Sequence, residues 1–322
     1  MKKIILLWWI CFLLYPSYAF SEQLYSPETM EKDLLEMEKK YQLKTVTIGE
    51  TEKGKPIKVV KLGRGQKSIL MVGAHHGREW LSTMILMKML QNYASAYQTG
   101  EPIGDIPSDL LDEVSIWFIP MLNPDGVRIQ QGDFSHLNVW ERVAVWKMND
   151  YSTEWSRWKA NANGIDLNRQ YPSGWDDIIN EAKQPTYQFY KGKRPLMASE
   201  AKALVSFTKK LDPLIAVSYH TFGREIFWHY HNKPKNMARD YGIAKKTAEL
   251  TGYELTIPEK EAIGSGFTDW FITEFERPAL TIELSYLVEE TNPPLSVFPE
   301  EWDRNRQVGM MLVQEANRLN NY

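Results

Sequence analysis

The segment Gly73–Trp80, which reads Gly-Ala-His-His-Gly-Arg-Glu-Trp, contains the residue types of a metal site. His76 and Glu79 follow an apolar run and precede a helical pattern, so they lie in a turn. An imidazole and a carboxylate at this spacing can converge on one ion, and zinc accepts two histidines and a carboxylate while keeping a fourth position for water. The pair alone is a common spacing, and His75 offers a second register. Other segments must therefore decide whether a metal binds here.

Four further segments place polar residues at or within apolar runs. They are Leu122–Gly126 (Leu-Asn-Pro-Asp-Gly), Gly164–Arg169 (Gly-Ile-Asp-Leu-Asn-Arg), Ser218–Thr221 (Ser-Tyr-His-Thr) and Thr281–Leu284 (Thr-Ile-Glu-Leu). Asn-Pro-Asp-Gly is a strong turn signal. His220 ends one apolar run and Glu283 stands inside another. Because a buried carboxylate is unfavourable unless it is paired or functional, Glu283 is a candidate catalytic residue.

The elements that must position these residues alternate along the chain. Apolar runs rich in β-branched residues predict buried strands at Ile57–Leu62, Ser68–Val72, Val114–Met121, Leu214–Tyr219 and Ala279–Leu284. Helical patterns cover Pro27–Tyr41, Leu81–Tyr97, Ala198–Leu211, Lys235–Thr251 and Pro299–Asn317. This order predicts a single α/β domain with a central mixed, largely parallel, twisted sheet and helices on both faces. Ligand sites in such sheets lie at the carboxyl ends of strands.

One long segment, Gln131–Trp175, lacks clear periodicity. It carries Trp140, Trp146, Trp155, Trp158 and Trp175. A loop of this length in a compact domain is usually functional or disordered, and the tryptophans argue against disorder. The aromatic residues suit either a satellite hydrophobic cluster under the loop or the wall of a substrate cleft. The sequence alone favours neither.

The amino-terminal residues have the pattern of a secretory signal peptide. Two lysines precede the apolar run Ile4–Leu14, and Ser17-Tyr18-Ala19 offers a cleavage site. The run is too short to span a bilayer as a helix, although an uncleaved membrane anchor is the alternative. We therefore expect a signal peptide at 1–19, a catalytic domain at 20–322, and a secreted protein, extracellular or associated with the cell wall, with no stable membrane insertion after cleavage.

Composition narrows the possible functions. The 322-residue chain has a formal net charge of −3 and no basic block, which argues against a nucleic-acid partner. Its one cysteine, Cys11, lies inside the apolar run of the predicted signal peptide. Cleavage would leave no cysteine, which excludes disulfides, cysteine nucleophiles and cysteine zinc ligands from the mature protein. We expect a monomer stabilised by core packing.

Taken in order, the motifs resemble the carboxypeptidase A-like family of zinc metallocarboxypeptidases over nearly the whole predicted mature chain. The family pattern His-x-x-Glu-Trp matches His76 to Trp80 and selects His76 rather than His75. The resemblance implies one Zn²⁺ held by His76, Glu79 and His220, with Glu283 as the general base. Asp269-Trp270 also stands upstream of Glu283 at the family's spacing.

The resemblance implies roles for three residues of the Gly164–Arg169 segment. Asp166 matches a carboxylate that accepts a hydrogen bond from a ligand histidine and fixes its tautomer, and its alternative is a simple turn aspartate. Asn168 and Arg169 match the clamp for a substrate carboxylate, which the planar guanidinium binds with two hydrogen bonds. For Arg169 the alternative is a surface salt bridge.

The chain departs from the family pattern at two positions. Where the family has an oxyanion-stabilising arginine after a tryptophan, Lys159 follows Trp158, and Arg157 is a second candidate. Lysine can stabilise developing negative charge, but only as a point charge. The family's tyrosine over the substrate falls at Glu261, and Tyr253, the nearest tyrosine, would serve only if the loop is remodelled.

Two features indicate a substrate class. Thr268 occupies the family's specificity position and favours a polar or zwitterionic side chain. The run Trp158–Asn161 before the Asp-Leu-Asn-Arg motif resembles bacterial γ-D-glutamyl-diamino acid peptidases, which cleave cell-wall peptides between D-glutamate and a diamino acid such as meso-diaminopimelate. We therefore expect hydrolysis of soluble muropeptides. The alternatives are a broad-specificity metallocarboxypeptidase that releases C-terminal amino acids and an inactive zinc-containing binder of cell-wall peptides, against which Glu283 argues.

Overall fold

A computed structural model of the chain describes residues 24–178, 182–257 and 264–319. The predicted signal peptide, Cys11 and Glu261 lie outside these residues. Within them, none of the helices is both long and apolar enough to cross a bilayer.

One mixed sheet of eight strands forms the centre of the described structure, with the order β1-β2-β4-β3-β5-β8-β6-β7. The strands are β1 (Lys44–Glu50), β2 (Pro56–Leu62), β3 (Lys67–Val72), β4 (Val114–Ile119), β5 (Ile215–Thr221), β6 (Glu225–Phe227), β7 (Glu254–Thr256) and β8 (Ala279–Leu284). The central neighbours β4, β3, β5 and β8 run parallel. Their carboxyl ends therefore meet at one edge, where the candidate site lies.

Nine α-helices are described. They are α1 (Pro27–Tyr41), α2 (Leu81–Thr99), α3 (Pro124–Gln130), α4 (Val139–Met148), α5 (Ser199–Leu211), α6 (Met237–Thr251), α7 (Phe267–Phe275), α8 (Phe298–Asn305) and α9 (Val308–Arg318). Short 3-10 turns cover Ser108–Asp112, Leu167–Arg169, Pro234–Asn236 and Leu295–Val297.

Both faces of the sheet are covered by helices, as β3 shows. Ile69 and Met71 belong to one hydrophobic cluster with residues of α1, α2 and α9, while Leu70 and Val72 belong to a second with residues of α5 and α7. Alternation within one strand feeding two cores is the pattern of a sheet buried on both sides. The expected α/β fold with helices on both faces is confirmed.

Three expectations about elements were wrong or incomplete. The single helix predicted over Pro299–Asn317 is two helices. Both contact α6, but α9 also packs on β3 and β4 whereas α8 packs on α2, and one straight helix cannot serve both. The turn predicted at Asn-Pro-Asp-Gly continues as α3, with Asn123 as the N-cap and Pro124 in the first turn. The segment 131–175 contains α4, which begins at an Asn138 capping box.

Candidate active site

All nine residues singled out from the sequence for the site line one cavity of about 340 Å³. They are His76, Glu79, Lys159, Asp166, Asn168, Arg169, His220, Thr268 and Glu283. The cavity opens at the edge where β3, β5 and β8 end. His76 and Glu79 occupy the turn between β3 and α2, His220 lies near the end of β5, and Glu283 near the end of β8.

Three of these residues present a set of donor atoms that fits a metal. The His76 Nδ1 atom lies 2.8 Å from Glu79 Oε1 and 3.2 Å from His220 Nδ1, and His220 Nδ1 lies 2.9 Å from Glu79 Oε2. Ligand atoms about 2.0–2.1 Å from a tetrahedral zinc ion lie about 3.3 Å apart. Two imidazole nitrogens and a carboxylate at this spacing, all buried, are a chemically suitable zinc set.

The outer nitrogens of both imidazoles have partners that aim the rings. His76 Nε2 lies 3.1 Å from Asp166 Oδ1, and His220 Nε2 lies 2.9 Å from the Ser218 hydroxyl. If Nδ1 binds an ion, each Nε2 carries the proton and donates a hydrogen bond to its partner. Asp166 therefore occupies the position expected of a carboxylate that orients a ligand histidine.

The ring nitrogens of His75 contact hydroxyl groups rather than the metal-donor atoms of His76, Glu79 and His220. Its Nε2 lies 3.1 Å from the Tyr171 hydroxyl and its Nδ1 lies 3.1 Å from the Ser218 hydroxyl. Burial lowers the pKa of His75 well below its usual value, so the ring is neutral. In this geometry His76, and not His75, faces Glu79.

Two carboxylates in the site are held in the ionised form. Burial alone would raise the pKa of Glu79, but the imidazoles of His76 and His220 lower it well below the usual range. Burial likewise opposes ionisation of Asp166, and the charges of Lys159 and His76 lower its pKa well below the usual range. Both carboxylates therefore favour the anionic form, which is suited to binding or orienting cations.

Glu283 has the opposite character. Burial raises the pKa of Glu283 well above its usual value, Glu79 adds to the rise, and Lys159 opposes it. Its Oε2 atom is buried without a hydrogen-bond partner in the described structure. A divalent cation at the neighbouring donor set would oppose this rise. A carboxylate whose ionisation is balanced between burial and nearby positive charge, and which has an open oxygen, can exchange protons with a reacting group.

Two cationic side chains, Lys159 and Arg169, lie beside Asp166 in the cavity wall. The Lys159 ammonium lies 3.3 Å and the Arg169 Nε atom 3.7 Å from the same oxygen of Asp166. Arg157, the alternative to Lys159 in the sequence, instead bonds Asn149 and stacks on Tyr187, and it does not line the cavity. Of the two candidates, only Lys159 is placed to meet a developing negative charge.

The cavity extends into a polar recess. Thr268 and Thr281 share a hydrogen bond of 2.7 Å between their hydroxyls, and Asn168 accepts a hydrogen bond from the Phe267 N–H. Burial raises the pKa of Asp269 to about 6, although hydrogen bonds from the Gly266 and Gly264 N–H groups act to lower it. Sequence reasoning missed a role for Thr281, although strand alternation puts residues 281 and 283 on one face.

Other residues of the cavity wall were also missed. Arg78 lines the cavity and donates to the backbone carbonyl of Arg157 and to the Gln188 side chain. Phe227, the last residue of β6, and the following Trp228 and His229 also line the cavity. Arg78 sits inside the His-x-x-Glu motif and could have been found there, whereas the 227–229 run carries no recognisable signal.

Two open questions from the sequence have structural answers. Tyr253 is buried, and its hydroxyl contacts Glu301 rather than the cavity, so Tyr253 is not part of the site. Trp155 and Trp158 belong to a satellite hydrophobic cluster, while Trp140 is 81% exposed. Among the described residues, the tryptophan that lines the cavity is Trp228 rather than any of the five in 131–175.

Comparison with known proteins agrees with this geometry. The γ-D-glutamyl-L-diamino acid endopeptidase 1 of Lysinibacillus sphaericus is 30% identical over 283 residues, covering 86% of this chain and 69% of that protein. The inactive metallocarboxypeptidase ECM14 of Paracoccidioides lutzii is 24% identical over 285 residues, covering 76% of this chain and 44% of that protein. Carboxypeptidase A from Helicoverpa armigera shares the fold, with a TM-score of 0.70 at 17% identity over 92% of this chain and 75% of that one. The profile of the family described as zinc carboxypeptidase matches residues 30–307. The chain therefore belongs to the zinc carboxypeptidase family and is a zinc metallopeptidase.

Proposed function

We propose that this peptidase hydrolyses the bond between the γ-carboxyl group of D-glutamate and a diamino acid such as meso-diaminopimelate in muropeptides. The observation that carries the proposal is the 30% identity to the γ-D-glutamyl-L-diamino acid endopeptidase over most of both chains. The polar recess of the cavity supports it independently.

The recess suits a substrate residue that carries several polar groups. Meso-diaminopimelate has two carboxylates and a free ammonium beyond the amide nitrogen that is released. Arg169 can bind a carboxylate with two hydrogen bonds, and Asn168 lines the cavity beside it. Thr268 and Thr281 hydrogen-bond each other, which leaves one of the two O–H groups to donate to a polar substrate group.

The residues divide the reaction between them. His76, Glu79 and His220 would hold zinc, which when bound lowers the pKa of water to about 7 and polarises a carbonyl. Glu283 accepts the proton of the attacking water and returns it to the leaving amine. The Lys159 ammonium stabilises the negative charge that develops on the carbonyl oxygen, as a point charge. Asp166 fixes the His76 tautomer.

The amino-terminal sequence pattern supports a proposal about where the protein acts. We propose that the catalytic domain comprises 20–322, that 1–19 directs secretion, and that the protein acts as a monomer outside the cell. We propose that its substrates are soluble muropeptides, so the enzyme does not need to bind the intact cell wall.

A substrate panel tests the proposal. The purified protein with zinc is incubated with L-Ala-γ-D-Glu-meso-diaminopimelate, with its α-linked isomer, and with ordinary peptides that end in a free carboxylate. We expect release of free meso-diaminopimelate from the γ-linked peptide alone, measured by chromatography. The α-linked isomer is the matched control, because it has the same atoms and charges.

The two alternatives predict other results from the same panel. A broad-specificity carboxypeptidase would release C-terminal amino acids from the ordinary peptides and leave the γ-linked bond intact, which would refute the muropeptide assignment. A binder without activity, as the name of the ECM14 relatives suggests for those proteins, would bind zinc and cleave nothing. The presence of Glu283 with an open carboxylate oxygen argues against this outcome.

A further inference from the structure

One aromatic ring lies close to both cations of the site. The Lys159 ammonium is 4.9 Å and the Arg169 guanidinium carbon 5.2 Å from the centroid of Phe189. Both distances are within the range of about 6 Å at which a cation is attracted to the face of an aromatic ring. Phe189 does not line the cavity itself. The half-buried ring therefore has its described charged contacts with the two cations of the cavity wall.

The backbone around Phe189 is tied to the segments that carry the two cations. The Tyr187 carbonyl accepts hydrogen bonds from the N–H groups of Lys159 and Ala160, at 3.0 and 2.9 Å. The Tyr190 carbonyl accepts one from the Asp166 N–H at 2.9 Å. These bonds flank Phe189 on both sides, so the position of its ring relative to Lys159 and Arg169 is set by the chain.

Phe189 also has an unusual backbone conformation. Its φ angle is 65°, in the left-handed region that bulky residues rarely adopt. Such conformations persist where surrounding structure imposes them, and they are concentrated at functional sites. Here the strained angle directs a ring toward two charged groups.

The two cations share a second partner, Asp166, whose Oδ2 atom lies near both. Two positive groups beside one carboxylate oxygen repel each other. An aromatic ring attracts cations without cancelling their charge, so the Phe189 ring offsets part of that repulsion and leaves both groups cationic.

We infer that Phe189 is a positioning residue, whose ring holds the Lys159 and Arg169 cations in the geometry that the reaction needs. The inference rests on the proposed roles of these two cations. Because Lys159 acts on the developing oxyanion and Arg169 on a substrate carboxylate, loss of the ring should lower kcat through Lys159 and raise KM through Arg169.

Substitution of Phe189 tests this inference. Phe189→Leu keeps apolar volume and removes the ring, and we expect kcat/KM to fall about tenfold or more while zinc content stays at one per chain. Phe189→Tyr should retain most of the activity. Phe207→Leu is the matched control, since it removes a phenylalanine that packs on Trp117, away from the site. Equal activity in Phe189→Leu and Phe207→Leu would overturn the inference.

Double mutants separate positioning from general packing. If the ring acts through the cations, Phe189→Leu should lower kcat/KM much less in a chain that already carries Lys159→Ala and Arg169→Ala than in the wild type. An undiminished effect would show a purely structural role and overturn the inference.

Fluorinated phenylalanines at position 189 give the same test with little change of shape. Fluorination weakens the attraction of the ring for cations, so kcat/KM should fall as fluorine atoms are added. An unchanged kcat/KM across the series would contradict the inference.

The single variants keep the two proposals distinguishable. If Lys159→Ala and Arg169→Ala both retain wild-type kcat/KM on the substrate of the panel, the proposed roles of the cations fail. If they lose activity while Phe189→Leu matches its control, only the role of Phe189 fails.

Discussion

At the scale of single residues, the site separates two carboxylates, Glu79 and Glu283, by their protonation. Both face one cavity, yet two imidazoles hold Glu79 as an anion whereas burial and the Glu79 charge favour the protonated form of Glu283. Groups whose environments push their pKa values apart take different chemical roles. Glu79 is thereby suited to hold an ion and Glu283 to accept and release a proton.

Replacing Glu283 by Gln tests the second of these roles. The amide has the same shape but cannot accept the proton, so we expect kcat to fall by about 10²–10⁴-fold. Zinc content should remain at one per chain, because Glu283 is not one of the three converging donors. Steady-state kinetics and metal analysis on the same preparation measure both effects.

Glu225 supplies the control for that substitution. It pairs with Glu283 across the antiparallel β6–β8 ladder but does not line the cavity. We expect Glu225→Gln to keep turnover far above that of Glu283→Gln, although it removes one of the charges that raise the pKa of Glu283. Wild-type turnover in Glu283→Gln would instead remove Glu283 from the mechanism, and loss of zinc from that variant would assign it to the metal site.

The sequence indicated the residues of the site more completely than their contacts. Metal-site spacing and strand-end positions predicted which side chains converge, because parallel strands bring their carboxyl ends to one edge. The choice between Lys159 and Arg157 required the structure, since neighbouring residues in an irregular segment can point in opposite directions. Phe189 could not be predicted at all, because its contacts depend on backbone hydrogen bonds between distant segments.

At the scale of elements, the first turn of α5 supports the segment that leads to Asp166. The buried Glu200 carboxylate accepts a hydrogen bond from the Asn161 side-chain amide at 3.1 Å. The Asn161 side-chain oxygen in turn accepts from the N–H groups of Asn163 and Ile165. This turn directly precedes Asp166, so α5 helps to place the active-site carboxylate.

Burial raises the pKa of Glu200 to about 8, and the neighbouring Glu52 and Asp125 add to the rise. In the unfolded chain a glutamate ionises near pH 4.3, so between pH 4.3 and 8 the unfolded state loses a proton that the folded state keeps. Stability is therefore fully present below the lower value and declines as pH rises toward the higher one. We expect Glu200→Gln to remove this decline. Between pH 4 and pH 7, the free energy of unfolding of the variant should therefore rise relative to that of the wild type by on the order of 3 kcal/mol.

Urea unfolding at the two pH values, in the presence of a chelator, measures the difference. Any constant effect of the amide cancels in this comparison, and the chelator removes the pH dependence of zinc binding. Glu38→Gln is the control, because Glu38 accepts a hydrogen bond from the Thr45 N–H and is not among the charges that raise the pKa of Glu200. A pH response in Glu200→Gln equal to that of the wild type would contradict the assignment of a protonated Glu200.

The elements themselves were predictable where burial was uniform. The runs that became β2, β3, β5 and β8 are buried along most of their length, and hydrophobic periodicity found each within two residues. The edge strands β1 and β7 are largely exposed or half-buried, so their patterns carry little signal. The break between α8 and α9 arises from packing against different partners, which periodicity within one segment cannot show.

At the scale of the whole molecule, the metal site joins parts of the fold that are far apart in sequence. His76 and Glu79 follow β3, His220 belongs to β5, and Asp166 comes from the long segment between α4 and α5. The chain has a single cysteine, so no intramolecular disulfide can provide such a connection. A bound zinc ion would therefore link the turn after β3 to β5, and its binding would add to the stability of the folded state.

Zinc should consequently raise the unfolding temperature in a concentration-dependent manner. An ion that binds only the folded state stabilises it by about 2.7 kcal/mol at a free concentration one hundred times its Kd. We expect a chelator to lower the unfolding temperature of the wild type and added zinc to restore it, as measured by calorimetry. Glu283→Gln, which keeps all three donors, should respond in the same way. His220→Ala should lose the zinc-dependent shift, because two donors bind far more weakly than three. If His220→Ala responded to zinc as strongly as the wild type, the ion would bind elsewhere and the assignment of the His76, Glu79 and His220 site would be wrong.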